Sequence, residues 1–190
     1  VVTGPYADLD AVAETLTGIA TSGEGLIPGL DPDFPIPRSG SKDPMRLPRS
    51  EYRARWLTDG EERRRWWAVL FTDLAIDNKK RVASTLFTAT TGQQIIHTFF
   101  EKPVTAVREN SETIREALVG WRRVEGFTGE YFDHQVLQGK ADDVRGQEGK
   151  ERGVPGATWL AIMALPMLRV TAAGKAPTAT LWHRRSGRRD

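Results

Sequence analysis

Apolar positions along this chain fall into short blocks whose spacing changes between helical and strand-like. Between residues 6 and 20, apolar side chains recur every three or four positions, which predicts an amphipathic helix capped by Asp8 or Asp10. A later block that is apolar on all sides is typical of a buried helix started by Pro155. The helices predicted in this way cover Tyr6–Ala20, Gln93–Phe100 with a break at Pro103, Ser111–Trp121 with Ser111 as the cap, and Val154–Pro166.

Two pairs of apolar runs predict antiparallel hairpins. Trp66–Ile76 and Val82–Ala89 are separated by a polar turn, and Met167–Thr171 is followed by a second run over Pro177–Trp182. Two β-hairpins with about four helices favour the α+β class. Glu51–Trp56 is predicted to form only a short helical turn.

Residues 21–50 predict a long, proline-rich surface loop near the N-terminus. Six prolines interrupt any regular element there, yet apolar residues such as Phe34, Ile36 and Leu47 are mixed among them. Such a loop either packs on its own domain or docks on a partner. The sequence thus suggests two segments, 1–50 with the N-terminal helix and the loop, and 51–190 as an α+β nucleic-acid-binding domain.

Composition narrows the possible chemistry. The 190 residues contain no cysteine, which removes disulfides, thiolate catalysis and cysteine-based zinc sites, and the sequence holds no apolar run of membrane-spanning length. Net charge is only +2, but 20 of the 27 basic residues are arginine, whose planar fork fits phosphate. A GC-rich genome would produce the same arginine bias, so the placement of the charges matters more than their number.

Basic residues gather in three clusters, and Trp66, Trp67 and Trp182 lie beside two of them. Arg63, Arg64 and Arg65 precede the first predicted strand, Lys79, Lys80 and Arg81 occupy its hairpin turn, and Arg184 and Arg185 lie in the C-terminal tail. Basic and aromatic residues together suit phosphate contact and base stacking. The alternative is a solvated surface over core tryptophans.

A glycine-glutamine loop follows the second predicted strand. In Thr91, Gly92, Gln93 and Gln94, backbone amides at a helix start favour an anion, and the glutamine amides can reach phosphate, sugar or base edges. The alternative is an ordinary helix cap with Thr91 as the capping residue. The loop lacks the spacing of a nucleotide-triphosphate loop.

Hydrolytic chemistry has weaker support. On a regular strand Asp73 and Asp77 would lie about 13 Å apart, too far to share one metal ion. His134 is a candidate base, but the three histidines match no metal-ligand spacing. The sequence therefore predicts no catalytic residue, no metal site and no cofactor.

Two segments resemble large subunits of type I CRISPR Cascade effector complexes, in their compact actinobacterial-type variants. They are residues 66–101, with Phe87-Thr88-Ala89-Thr90-Thr91-Gly92-Gln93-Gln94, and residues 153–185, with the Gly153–Ala161 helix start and the hairpin that ends in Leu181–Arg185. The resemblance implies a non-catalytic subunit that holds the crRNA 5′ end, reads a protospacer-adjacent motif in target DNA and recruits a helicase-nuclease. Other Cascade subunits would be its partners in the cytoplasm, with no membrane.

We therefore expect an antiviral-defence subunit that binds RNA or DNA through the three basic clusters and the glycine-glutamine loop. Two alternatives remain open: a protein-interaction scaffold that uses residues 26–47, and a small metal-dependent nuclease that uses Asp73, Asp77 or His134.

Overall fold

Helices and short antiparallel strand pairs make up the fold, which confirms the α+β class. The computed structural model describes residues 5–34, 47–76, 79–85, 96–129, 132, 133, 136, 151–172 and 178–182. Among these residues the elements are α1 (Leu9–Thr21), α2 (Arg49–Thr58), α3 (Glu61–Leu70), β1 (Phe71–Ile76), β2 (Val82–Ser84), α4 (Ile96–Glu109), α5 (Glu112–Val119), β3 (Val124–Glu125), β4 (Arg152–Gly153), α6 (Pro155–Met163), a 3₁₀ turn (Leu165–Met167), β5 (Leu168–Ala172) and β6 (Thr178–Trp182).

Residue contacts divide the chain into two units, each built from two separate segments. The first unit comprises Val1–Phe34 and His97–Ile162, and the second comprises Pro35–Ile96 and Met163–Asp190. This division follows spatial contact rather than chain order. The division expected after residue 50 stays a prediction.

The first unit is mainly helical. Asp8 caps α1, as expected, by accepting a hydrogen bond from the Ala11 amide at 2.8 Å. At the start of α5 the expected cap, Ser111, makes no capping hydrogen bond; Asn110 Oδ1 accepts from the Glu112 amide instead. Helix α1 packs against α5, and β3 pairs with β4. Phe99, Phe100, Val107, Ile114 and Trp159 are among the largest fully buried side chains of this core.

Helix α4 continues through a proline that was expected to end it. Pro103 lies inside the helix, which runs on to Glu109. A proline removes one backbone hydrogen bond, but the buried face on both sides of it, with Phe99, Phe100 and Val107, offsets that loss. The prediction of a break at Pro103 was therefore wrong.

The second unit holds both predicted hairpins. Strands β1 and β2 pair antiparallel, and β5 pairs with β6 in a regular register from Leu168–Trp182 to Ala172–Thr178. Helix α3 packs against both β1 and β5. The prediction of a strand from Trp66 onward was wrong, because the chain is helical until Leu70. The apolar run Trp66–Leu70 fits either a helix or a strand by its periodicity. It is helical here because it continues a helix begun by the helix formers of Glu61–Arg65, where Glu61 and Arg65 form an i,i+4 pair.

One arginine ties the two segments of the first unit together. The Arg108 guanidinium on α4 donates hydrogen bonds to the carbonyl oxygens of Ala20, Gly23 and Gly25 at 2.8–3.1 Å, and to that of Glu24 at 3.5 Å. These carbonyls include the last turn of α1 and the loop that follows it. A planar, five-donor side chain is the group that can satisfy them together.

We expect Arg108→Lys to lower the free energy of unfolding by about 2 kcal/mol, because an ammonium group cannot reproduce this fan of hydrogen bonds. Urea unfolding measures the change. The matched control is Arg115→Lys, since Arg115 pairs with Asp10 at an exposed position and its replacement should leave stability nearly unchanged. Equal losses in the two variants would contradict this role for Arg108.

Helix α6 approaches α5 so closely that only glycine fits at the contact. A Cβ added at Gly156 would lie 2.1 Å from the carbonyl oxygen of Thr113 and 2.8 Å from Cα of Ile114. Both neighbours are backbone atoms, so neither can move aside as a flexible side chain would. This contact fixes the distance between the two helices.

We expect Gly156→Ala to destabilise the protein by about 3 kcal/mol, because the new methyl group must push two helix backbones apart. Gly18→Ala is the control, since Gly18 lies within α1 and its added Cβ would meet nothing within 4 Å. That control should be neutral or stabilising by up to about 1 kcal/mol. Thermal and urea unfolding of both variants provide the comparison, and a tolerated Gly156→Ala would refute the close approach.

Candidate nucleic-acid interface

The basic turn of the first hairpin is accessible. Lys79 and Lys80 are exposed and Arg81 is half-buried, at the point where the chain enters β2. Lys80 has a φ of +59°, in the left-handed region that favours glycine. A lysine held there carries backbone strain while it presents a charge at the tip of the turn.

Main-chain hydrogen bonds place the start of α2 beside this turn. The Val82 amide donates to the Leu47 carbonyl oxygen at 2.9 Å, the Arg49 amide donates to the Lys80 carbonyl oxygen at 3.3 Å, and Pro48 forms an antiparallel bridge with Arg81. Arg49, the first residue of α2, is therefore a backbone neighbour of Lys80 although 31 positions separate them. We name the hairpin patch as Arg49, Arg53, Lys79, Lys80 and Arg81.

A single carboxylate binds two of the three arginines of the hairpin patch, Arg49 and Arg53. Nε of Arg53 lies 2.7 Å from Oδ2 of Asp73, and Nε of Arg49 lies 3.6 Å from the same oxygen. Arg49 and Arg53 are one turn apart on α2, so both side chains project from the same face. The two arginines therefore share one carboxylate, and the main-chain pairing brings them near the basic turn, so basic residues from two segments meet in one region.

The first basic cluster has a different setting. Arg63, Arg64 and Arg65 lie within α3 rather than before a strand, which corrects their predicted position. Arg65 pairs with Glu61 at 2.6 Å and Arg63 with Asp59 at 3.5 Å, and Glu62 also lies near Arg65. Three carboxylates accompany three arginines within seven residues, so this stretch carries no net charge.

Stacking was expected from the aromatic residues next to the basic clusters, and two of them are not accessible for it. Trp66 and Trp67 are each only 2% exposed, and the Trp67 ring packs against Phe71 with 5.5 Å between centroids and edge-on against Tyr52. These rings stabilise the second unit and cannot stack on a base. The expectation that Trp66 and Trp67 contribute to a stacking surface was therefore wrong.

Several predicted positions lie outside the described residues. They are Thr91, Gly92, Gln93 and Gln94 of the glycine-glutamine loop, Arg184 and Arg185 of the tail, and Asp77 and His134 of the hydrolytic alternative. Of the proline-rich loop, Leu26, Ile27 and Phe34 are buried, whereas Ile36 lies outside. In the described part of the chain, no three histidine or acidic side chains converge to form a metal site.

The sequence pattern did not identify Arg49 and Arg53 as members of the site. Both follow Pro48 and are separated by Ser50, Glu51 and Tyr52, so they form no basic run in the sequence. Their i,i+4 spacing was the one available signal, and it is common on solvated helices. Only the pairing of residues 47–49 with the start of β2 places them beside the basic turn.

Comparisons of the chain with protein-family models, with curated proteins and with solved structures found no match. No helix within the described ranges has both the length and the apolar character needed to cross a bilayer. The charge and geometry of the hairpin patch are therefore the observations from which a function can be inferred.

Tyr52 links the core of the second unit to the hairpin patch. Its ring is buried against Trp67 and Phe71, and its hydroxyl donates to the Phe71 carbonyl oxygen at 3.5 Å. Burial raises the pKa of the Tyr52 phenol well above its usual range, and the negative charge of Asp73 raises it further. Tyr52 thus keeps its proton in the folded state at a pH where the unfolded chain loses it.

We expect stability to be unaffected by Tyr52 below about pH 9 and to fall above about pH 10. In that range the unfolded state binds fewer protons than the folded state, so the free energy of unfolding drops by about 1.4 kcal/mol per pH unit. Urea unfolding of the wild type and of Tyr52→Phe between pH 8 and 11.5 isolates this contribution, because the variant retains every other titrating group. Parallel pH profiles for the two proteins would contradict the assignment.

Proposed function

We propose that this protein is a non-catalytic nucleic-acid-binding subunit of an RNA-guided complex, and that the hairpin patch holds the phosphate backbone of its ligand. The observation that carries the proposal is the main-chain pairing that brings the start of α2, where Arg49 and Arg53 share the Asp73 carboxylate, beside the basic turn of Lys79, Lys80 and Arg81. A concentrated basic surface on a backbone turn is the electrostatic footprint of a phosphate contact.

The character of the patch favours backbone contact over base reading. Its side chains are lysine and arginine, and the aromatic rings nearest to it in the core are buried. Lysine and arginine neutralise phosphates without regard to sequence, whereas base reading needs side chains that reach base edges or stack on them. In an RNA-guided complex this division is natural, because base pairing with the guide supplies the sequence specificity.

The resemblance to large subunits of type I Cascade complexes makes the proposal more specific. On that basis the ligands are crRNA near its 5′ end and target duplex DNA at the protospacer-adjacent motif. The partners are other Cascade subunits and a recruited helicase-nuclease, and the compartment is the cytoplasm. The glycine-glutamine loop at Thr91–Gln94 and the tail residues Arg184 and Arg185 belong to the same proposed interface.

Two specific observations bear on the alternatives. A scaffold that docks through residues 26–47 would have to use positions other than Leu26, Ile27 and Phe34, which are buried in this chain. A metal-dependent nuclease that used Asp73 would have to take this carboxylate from its pairing with Arg49 and Arg53. Both observations favour the nucleic-acid-binding proposal.

The decisive variant removes two charges without straining the fold. Lys80→Gly relaxes the left-handed backbone at that position, and Lys79→Ala truncates an exposed side chain. We expect the double variant to bind a labelled 20-nucleotide RNA and a 20-base-pair DNA about tenfold more weakly in fluorescence anisotropy. The slope of log affinity against log salt should fall in magnitude by about 1.4–1.8, since two phosphate contacts are lost.

The matched control is Arg115→Ala with Arg122→Ala, which removes the same charge from the first unit. Affinity and salt slope should stay close to wild type in this control. If the two double variants weaken binding equally, the loss of affinity is a general effect of net charge, and the hairpin patch is not the interface. Salt-tolerant binding of a protein partner with no nucleic-acid binding would support the scaffold, and metal-dependent cleavage of either probe would support the nuclease.

Purification from the native host tests the larger assembly. A discrete short RNA with a repeat-derived 5′ end, bound together with other subunits, is the expected result. A nucleic-acid-free monomer would remove the RNA-guided complex from consideration.

A further inference from the structure

The contacts of Asp73 leave the outer ends of two guanidinium groups available. Arg49 and Arg53 both approach Oδ2 of Asp73 through Nε, the inner edge of the guanidinium. The described residues provide no partner for their terminal nitrogens, and the two side chains are 44% and 58% exposed. Because both contacts end on one oxygen, the two guanidinium groups lie close to each other.

A bulge in β1 places Asp73 where it can do this. Thr72 pairs with Ala83, and Ile76 pairs with Val82. Ala83 and Val82 are adjacent in β2, so residues 73–75 are extra residues on the β1 side and form the bulge. Thr72 and Ala75 are both buried, which a strictly alternating strand would not allow at a separation of three. Thr72 Oγ1 accepts from the Leu74 amide at 3.3 Å and supports the bulge. Bulges of this kind redirect side chains beside functional sites.

We infer that Asp73 is a positioning residue that presents Arg49 and Arg53 as a paired-guanidinium site for one phosphate group. This inference rests on the proposed function and makes it more specific: the ligand group is a phosphodiester of the nucleic-acid backbone, held by the outward nitrogens of both arginines. The Asp73 carboxylate holds each guanidinium at Nε and so fixes its orientation before the ligand binds. Less side-chain freedom is therefore lost when the phosphate binds.

Positioning and simple charge neutralisation predict opposite results when Asp73 is replaced. A carboxylate that only cancels positive charge weakens binding of a polyanion, so its removal would strengthen binding. A positioning carboxylate strengthens binding, so removal of its oxygen weakens it even though the net charge of the protein becomes more positive. The sign of the change therefore separates the two roles.

The test compares Asp73→Ala with Asp73→Asn, which remove the same charge but differ in the hydrogen-bond acceptor. Asparagine keeps an amide oxygen for Nε of Arg53, and alanine does not. Against the 20-nucleotide RNA at fixed salt, we expect Asp73→Ala to bind more weakly than the wild type and about tenfold more weakly than Asp73→Asn. Equal affinities for the two variants, or tighter binding by Asp73→Ala, would overturn the inference.

The same comparison in an Arg49→Ala, Arg53→Ala background completes a double-mutant cycle. If Asp73 acts through the two arginines, the difference between alanine and asparagine at position 73 disappears there. A difference that persists would assign the effect to local packing and would also overturn the inference. Thermal unfolding of each variant monitors the fold.

Arg53→Lys provides a test in which Asp73 is intact. That variant keeps the charge but loses the fork, so we expect about fivefold weaker binding, and unchanged affinity would count against the paired site.

The source of the phosphate is tested by competition. Inorganic phosphate at equal ionic strength, exchanged against chloride, should displace RNA only at millimolar concentration, as expected for one phosphate contact among several. If the wild type binds inorganic phosphate but neither nucleic-acid probe, the proposed function fails. If the wild type binds RNA and Asp73→Ala binds it as tightly as Asp73→Asn, only this inference fails.

Discussion

The placement of the hairpin patch depends on a short main-chain pairing. Residues 47–49 bond to the start of β2, with the Val82 amide on the Leu47 carbonyl oxygen and the Arg49 amide on the Lys80 carbonyl oxygen. Because α2 begins at once after this pairing, its direction and rotation are set there. Tyr52 then packs on Trp67 and Phe71, and Arg49 and Arg53 face Asp73.

The charges of the second unit show why local balance matters more than the number of basic residues. The arginines of α3 form the longest run of adjacent arginines in the chain, yet Asp59, Glu61 and Glu62 match them within one helical turn or two. Exposed ion pairs of this kind contribute little to stability and leave little field for a ligand. In the hairpin patch, by contrast, main-chain pairing adds Arg49 and Arg53, which share one carboxylate, to a basic turn from a separate segment of the chain.

The first unit relies on close backbone contact. Gly156 lets α6 meet the backbone of α5 at Thr113, and Arg108 satisfies carbonyl oxygens at the end of α1 and in the following loop. Apolar helices can approach each other in many ways, and such contacts select one arrangement because any other leaves carbonyl groups unsatisfied. The buried residues Leu26, Ile27 and Phe34 show that the first part of the proline-rich stretch packs within this chain.

The sequence by itself determined the class of the fold, both hairpins, the cap at Asp8 and the buried helix at Pro155, because these depend on periodicity and on local capping chemistry. It misassigned Trp66–Leu70 and the effect of Pro103, where buried faces outweighed local propensity. It also found Lys79–Arg81 as a basic turn, which is a feature of adjacent residues. Only the tertiary structure decided that Arg49 and Arg53 lie there, that the bulge turns Asp73 toward them, and that Trp66 and Trp67 are core residues. Those outcomes depend on hydrogen bonds and packing between segments far apart in the chain, which no local pattern of residues encodes.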